Sequence, residues 1–365
     1  MTGTLREVLP ATYAGLLPDF FERPAPGEKK ASCDRCAMCQ HAGDPPRPAG
    51  LVTFSPDTKC CTYHPKLPGY LVGAILDDTT PELAEGRRRI REHIHTRVGV
   101  TPEWLAPPRK FWLLLEAART AAFGRTESLL CPYFERERGL CTIWRHRESD
   151  CSTFFCKYDA GADGQAFWRA FRSWLVHVEQ NLANAAVQAV APGLAEPRVP
   201  RGQLTLEDVE DRPPSDAAYA SWWKAWAGRE EELYVACHRH VTGLGAEAVA
   251  RLAGSEGGER LLALERAYRT MTEPTLPVRL RLASDLDRLP VGGGQIYVTS
   301  YSRYEPTLLS ENALALLSSF TADELVDAVR ARLERDHEVT FDDELLQELH
   351  RLRILVAEPA PEPPA

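Results

Sequence analysis

Apolar residues recur at helical spacing along most of this chain. Phe167, Trp168, Phe171, Trp174, Leu175, Val178 and Leu182 fall on one face of a long amphipathic helix, and an aromatic stripe of that kind reads as core rather than as a cofactor box. Residues 102–124 repeat the pattern through Phe111, Leu114, Leu115, Ala118 and Ala122, with Pro102 and Glu103 suited to a first turn. Before them a short apolar run, Tyr70–Leu76, precedes a basic stretch with Arg87, Arg88, Arg89, Arg91 and Arg97, which predicts a helix with a solvated face. Further helical patterning runs from about Ser215 to Arg251 and continues after the Gly254–Gly258 break, until Pro274 and Pro277 punctuate the chain.

Three stretches break this periodicity. Residues 1–30 are Pro-rich and predict an irregular arm. Residues 31–70 set cysteines among Gly and Pro, the composition of a loop-built knuckle. Residues 191–215, with Pro192, Pro197, Pro200, Pro213 and Pro214, predict a linker or surface loop.

The last segment changes period. Gln295–Tyr301 alternates like a strand, after the Gly292-Gly293-Gly294 run. Ser310–Ser318, Ala322–Arg335 and Asp342–Leu352 predict three short helices, the second with a Thr321/Glu324 capping box. Ile354–Val356 predicts a closing strand. The expected fold is mainly α: a cysteine/metal knuckle on a helical domain, plus a small winged-helix-like C-terminal module. The expected divisions are a cysteine-cluster domain over 1–190, a helical middle region over 191–290, the winged-helix-like module over 291–358 and a disordered tail over 359–365.

Composition changes little in this picture. Of 365 residues, 44% are hydrophobic and 26% charged, the balance of a globular protein. Acids outnumber bases 52 to 43, a formal net charge of -9 that disfavours broad nucleic-acid binding. The start of the chain does not read as a secretory signal, and the longest apolar runs are too short to span a bilayer, so no membrane partner is expected and the cytoplasm is the expected compartment. Thiols stay reduced there, and grouped cysteines more often bind metal than form disulfides.

The chemistry lies in the cysteines. Nine of the ten fall between Cys33 and Cys156. Cys33, Cys36 and Cys39 form a C-x2-C-x2-C run, followed by the adjacent pair Cys60-Cys61. Cys131, Cys141, Cys151 and Cys156 make a second group. Thiolates are soft ligands suited to zinc and to iron–sulfur clusters, and such sites commonly take four. Nine cysteines permit two four-ligand sites with one to spare, or one site with extra structural thiols. Adjacent residues do not easily aim both sulfurs at one ion, so Cys60 and Cys61 are expected to divide: one to the first site, the other to the second site or free. The second group could also close a four-sulfur site alone. His41, His64 and His146 lie near the cysteines and could substitute as ligands. Cys237, His238 and His240 form a C-H-x-H group on a predicted helix, where ordinary packing is the simpler reading. The C-x2-C-x2-C run favours iron–sulfur, with [4Fe–4S] preferred over Zn2+, although Thr62 stands where a ferredoxin motif has proline. No phosphate-binding loop, G-x-S-x-G elbow or H-E-x-x-H motif occurs.

The run Cys131-Pro-Tyr-Phe, Gly139-Leu-Cys141-Thr-Ile-Trp144-Arg-His-Arg147, Cys151-x4-Cys156 resembles the YkgJ-type cysteine-cluster family, described as zinc- or iron-chelating. Trp144 stands for the family's Tyr, Glu148 for its Pro and Ser152 for its second Arg. Cys33, Cys36 and Cys39 match its first half, whose double cysteine is displaced here to Cys60-Cys61. The resemblance covers about residues 31–160 and implies metal chelation by these cysteines. Flagellin lysine methylases carry a related cysteine arrangement, which implies protein modification. Tyr301 to Val356 resembles PqqD-type winged-helix peptide binders through Leu308–Leu317, the helix from Thr321, Leu345, Leu346 and Leu349–Ile354. That resemblance implies a peptide or protein partner added as a strand near Gln295–Tyr301.

Overall fold

In a computed structural model that describes residues 3–31, 33–194 and 203–357, the protein is mainly α-helical, with thirteen α-helices and four small antiparallel sheets among the described residues. The N-terminal arm holds α1 (Leu5–Val8) and short 3₁₀ turns. Its backbone is irregular as expected, yet Leu5, Tyr13, Leu16 and Phe21 are fully buried in the main core.

β1 (Leu67–Pro68) opens α2 (Gly69–Asp77), and α3 (Ala84–Thr96) carries the basic stretch. The apolar run Tyr70–Leu76 is thus a helix, and every residue from Gly69 to Leu76 is buried. A helix apolar all round needs neighbours all round. It receives them from α6 (Gly161–Val190), α9 (Glu230–Thr242) and α3. Gly73 is the contact point with α9. A Cβ there would lie 1.9 Å from the Tyr234 carbonyl oxygen, so only glycine lets the two backbones meet.

Between these elements lie β2 (Trp104–Leu105), α4 (Arg109–Ala122), the hairpin β3 (Phe134–Glu135) and β4 (Leu140–Cys141), and α5 (Ser149–Thr153). The helix expected from residue 102 starts instead at Arg109. Trp104 and Leu105 are taken by pairing with Pro68 and Leu67, and Pro107 and Pro108 stand between strand and helix. In α6 the aromatic stripe is core, with Phe167, Trp168, Phe171, Trp174, Leu175, Val178 and Leu182 all buried. α7 (Leu206–Val209), α8 (Asp216–Trp223) and α10 (Ala246–Thr272) complete the helical middle, and α10 bends at Gly254, inside the expected glycine break. Residues 195–202 of the expected linker, and the tail from 358, lie outside the described residues.

The C-terminal part has its own core, drawn from Leu280 to Leu355. β5 (Arg281–Leu282) pairs with β9 (Leu355–Val356). β6 (Asp287–Gly292), β7 (Gln295–Thr299) and β8 (Thr307–Ser310) form a sheet in that order, with the Gly292–Gly294 run in the β6–β7 turn. α11 (Glu311–Leu317), α12 (Val326–His337) and α13 (Asp343–Arg351) pack beside them. One expectation fails here. Thr321 does not cap a helix: it bridges to Arg281, Ala322 is left-handed, and α12 begins after Leu325. β7 itself pairs on both sides, so the outer strands of this sheet are β6 and β8.

Gly73→Ala should destabilise the protein by roughly 1–3 kcal/mol, the usual range for forcing an atom into a filled core. Chemical denaturation measures this; an unchanged midpoint would show that α2 and α9 do not depend on close approach.

Candidate metal centre

The cysteine segments are held by backbone hydrogen bonds and by cations rather than by long regular elements. Cys39 N–H donates to the Cys36 carbonyl at 3.0 Å, closing a tight turn. The Arg47 guanidinium donates to the carbonyls of Ala37, Met38 and Cys39, and a His41 ring nitrogen meets the Cys36 carbonyl at 2.9 Å. Phe54 N–H donates to Met38 O, and Ser55 N–H and Thr58 Oγ1 both donate to Gly124 O. Gly124 is left-handed, and a Cβ there would lie 2.1 Å from the Phe54 ring, so the end of α4 can seat this loop only with glycine.

The Cys60-Cys61 pair stands where the two cysteine groups meet. Lys59 Nζ donates to the carbonyls of Cys33 at 3.0 Å and Gly139 at 2.8 Å, one partner from each group's neighbourhood. Cys131 N–H donates to Cys61 O at 2.8 Å. The two side chains hydrogen-bond each other, yet they pack in different clusters. Cys60 packs with Cys36, Cys39 and Cys156 beside Met38, Phe54, Phe123 and Tyr304, whereas Cys61 packs on the main core with Cys131 and Cys141.

Electrostatics follows this grouping in part, because Cys60 couples most strongly to Cys61 and its charge also reaches Cys141. Burial, followed by the charges of Cys60 and Cys36, pushes the Cys33 thiol up to about 11. Cys156 is pushed to about 12 by burial and then by Cys60, Cys36 and Cys33. Cys39 is raised to about 12 by burial and Cys36. On the other side, burial and Cys141 raise Cys131, and burial, Glu148, Cys131 and Cys141 raise Cys151. Packing and charge together group Cys33, Cys36, Cys39, Cys60 and Cys156 as a first set and Cys61, Cys131, Cys141 and Cys151 as a second, with the Cys60–Cys61 contact joining the two. Cys131, Cys141, Cys151 and Cys156 do not gather as one foursome: the turn after α5 carries Cys156 into the first set, and Cys61 takes its place in the second.

Cations that sequence reasoning passed over frame both sets. Arg89, read as part of a solvated face, donates to the carbonyls of Pro132 and Phe134 and so holds the stretch around Cys131. Arg147 stacks on Trp144, 3.5 Å from the ring centroid, and lies within the fields of Cys151, Cys141 and Cys33. Its Nε is buried without a hydrogen-bond partner, and neither Arg147 nor Lys59 has a carboxylate within ion-pair distance among the described residues. Half-buried cations without carboxylates suit an anionic neighbour, which ligated thiolates would provide. The only sequence hint was position: Lys59 abuts Cys60, and Arg147 lies between Cys141 and Cys151.

The other candidates are placed elsewhere. His64 is stacked among His93, Phe111 and Tyr133, and burial with the His93 charge pushes it down to about 3. His146 bonds Asp78. Cys237 is buried in the main core on α9. Among the described residues, the side chains as placed form no group of three or more His, Cys, Asp and Glu poised to hold a metal ion. All ten cysteines are free thiols.

Behind the second set lies a buried polar chain. Glu148 caps α5 by accepting from the Asp150 and Cys151 N–H groups. Ser149 Oγ reaches Glu148 at 3.1 Å and Glu179 at 2.6 Å, and Tyr13 Oη donates to Glu179 at 2.8 Å and meets Tyr70 Oη at 2.9 Å. Burial and then Asp150 push the Glu148 carboxyl up to about 7.

Comparisons of the chain with protein-family models, with curated proteins and with solved structures give no match.

Because Glu148 binds its proton more tightly folded than unfolded, its contribution to stability is full below the ordinary value of 4.5 and is lost as pH rises through about 7. In metal-free protein, Glu148→Gln should therefore gain stability relative to wild type across that window, read by denaturation at a series of pH values. A stability difference that does not change with pH would contradict this.

Proposed function

We propose that the protein binds metal, holding an iron–sulfur cluster or zinc through Cys33, Cys36, Cys39, Cys60, Cys61, Cys131, Cys141, Cys151 and Cys156, in the service of redox chemistry or of peptide or protein modification. The observation that carries this reading is convergence. Nine sulfurs spread over more than a hundred residues of sequence lie in two adjoining sets of five and four, beside cations that lack carboxylate partners. The second set has the usual count for one four-ligand site, and the first has one thiol to spare.

The chain's own residues divide the work. Lys59 and Arg147 would offset the negative charge that thiolates carry, and Phe54, Phe123 and Tyr304 pack against the buried members of the first set, Cys36 and Cys39, while Cys33 is exposed. Binding would complete the ligand shells, because loop-held thiols order around their metal. An iron–sulfur cluster, when bound, would supply one-electron transfer. The C-x2-C-x2-C run favours it over zinc.

The C-terminal part serves, on this reading, as the winged-helix-like module that takes a peptide or protein. A strand would add to the outer edge of β6 or β8, since β7 is paired on both sides. Tyr304, from the segment before β8, packs against the cluster of Cys36, Met38, Cys39 and Phe54, which supports this reading.

Protein purified anaerobically should be brown and carry iron with acid-labile sulfide. A colourless protein with stoichiometric zinc would move the reading to a structural zinc centre in an interaction module, and a metal-free protein would defeat both. Cys36→Ser and Cys151→Ser should each sharply lower metal content by elemental analysis, and Cys237→Ser should leave it nearly unchanged. Equal losses in all three would show that the thiols act through folding alone.

A further inference from the structure

Away from the cysteines, the end of α10, the start of α6 and the end of α13 enclose a groove of about 500 Å³. Four guanidiniums line it: Arg266 and Arg269 from α10, and Arg351 and Arg353 from the end of α13. Only two carboxylates share the lining, Asp163 and Glu273, and Asp163 is engaged with Arg353 at 3.3 Å. The lining thus holds an excess of two positive charges in a chain whose net charge is -9.

These arginines are not spent on structure in the way most others are. Elsewhere arginines pair with carboxylates, as in Arg88 with Glu85 and Arg260 with Glu256. Arg266, Arg269 and Arg351 make no ion pair among the described residues, and the buried Nε of Arg351 has no hydrogen-bond partner. Arg266 and Arg269 are three residues apart on one helix and so project from neighbouring positions on its surface. Guanidinium forks facing each other across a cleft match the bidentate geometry of phosphate oxygens. A monocarboxylate would leave one charge unbalanced, whereas a phosphate monoester, with close to two negative charges at neutral pH, balances both. The lining has no Phe, Tyr or Trp ring on which a base could stack, and its one imidazole, His350, is held to the Leu355 carbonyl at 3.1 Å.

We propose that this groove is a binding site for a small phosphate-bearing anion that lacks a nucleobase. Phosphate oxygens would be held by Arg266 and Arg269 on one wall and by Arg351 on the other. The assignment does not depend on the metal reading.

The test is calorimetric titration of the full chain with pyrophosphate at low ionic strength, with sodium chloride of matched ionic strength as the control. One saturable site is expected, with no tighter binding of ATP. The double variant Arg266→Gln/Arg269→Gln should bind at least about tenfold more weakly, a loss of about 1.4 kcal/mol. Its melting temperature should match wild type, since both side chains are exposed. Arg136→Gln, remote from the groove and paired with Glu127, should bind as wild type does. No saturable heat with pyrophosphate, or equal affinity in the double variant, would overturn the proposal. So would an equal loss in Arg136→Gln, which would mark a general charge effect.

Discussion

The arrangement depends on one short contact, the Cys131 N–H donating to the Cys61 carbonyl. It ties a loop that precedes α2 to a hairpin that follows α4, and thereby brings the two cysteine groups side by side. Lys59 reinforces it by reaching the carbonyls of Cys33 and Gly139 together. Without that seam the thiols would belong to two unrelated surface loops. With it, Cys60 and Cys61 touch each other where the two groups of thiols adjoin.

The surrounding fold serves to fix this seam. α2 is buried on all sides and anchors the segment just after the cysteine loop, while α6, the longest helix, runs behind the second set. Gly124 seats the Phe54–Thr58 turn against the end of α4, and Arg89 reaches from α3 to hold the hairpin. Burial raises the thiols and simultaneously strands cations beside them. The first effect holds the metal-free thiols neutral, whereas the cations favour negative charge beside them.

Much of the helical architecture was legible because period 3.6 is a strong signal when the apolar residues are large. The α6 stripe, the Gly254 break and the three C-terminal helices could all be located from spacing. Errors fell where pairing or turn chemistry overrides local pattern. Trp104 and Leu105 are claimed by a strand partner nearly forty residues earlier, and Thr321 looks like a cap until its bridge to Arg281 is seen. β7 alternates like a strand, but alternation does not say whether a strand is central or at an edge.

The same boundary divides what could be read of the site. Spacing identified the cysteines, but not that the Cys60 and Cys61 side chains touch each other at the junction of two packing clusters. It did not reveal that Cys156 and Cys61 exchange sets, because that depends on the turn after α5. Nor did it reveal Arg89 or Arg147, whose importance comes from neighbours distant in sequence. The central claim is this division of sulfurs, and the most direct measurement is thiol alkylation of metal-loaded protein during graded chelation, resolved by mass spectrometry. Cys61, Cys131, Cys141 and Cys151 should lose protection together, and Cys36, Cys39, Cys60 and Cys156 as a separate group. Loss of Cys156 in step with Cys131, Cys141 and Cys151, or protection that ignores the chelator, would contradict the account.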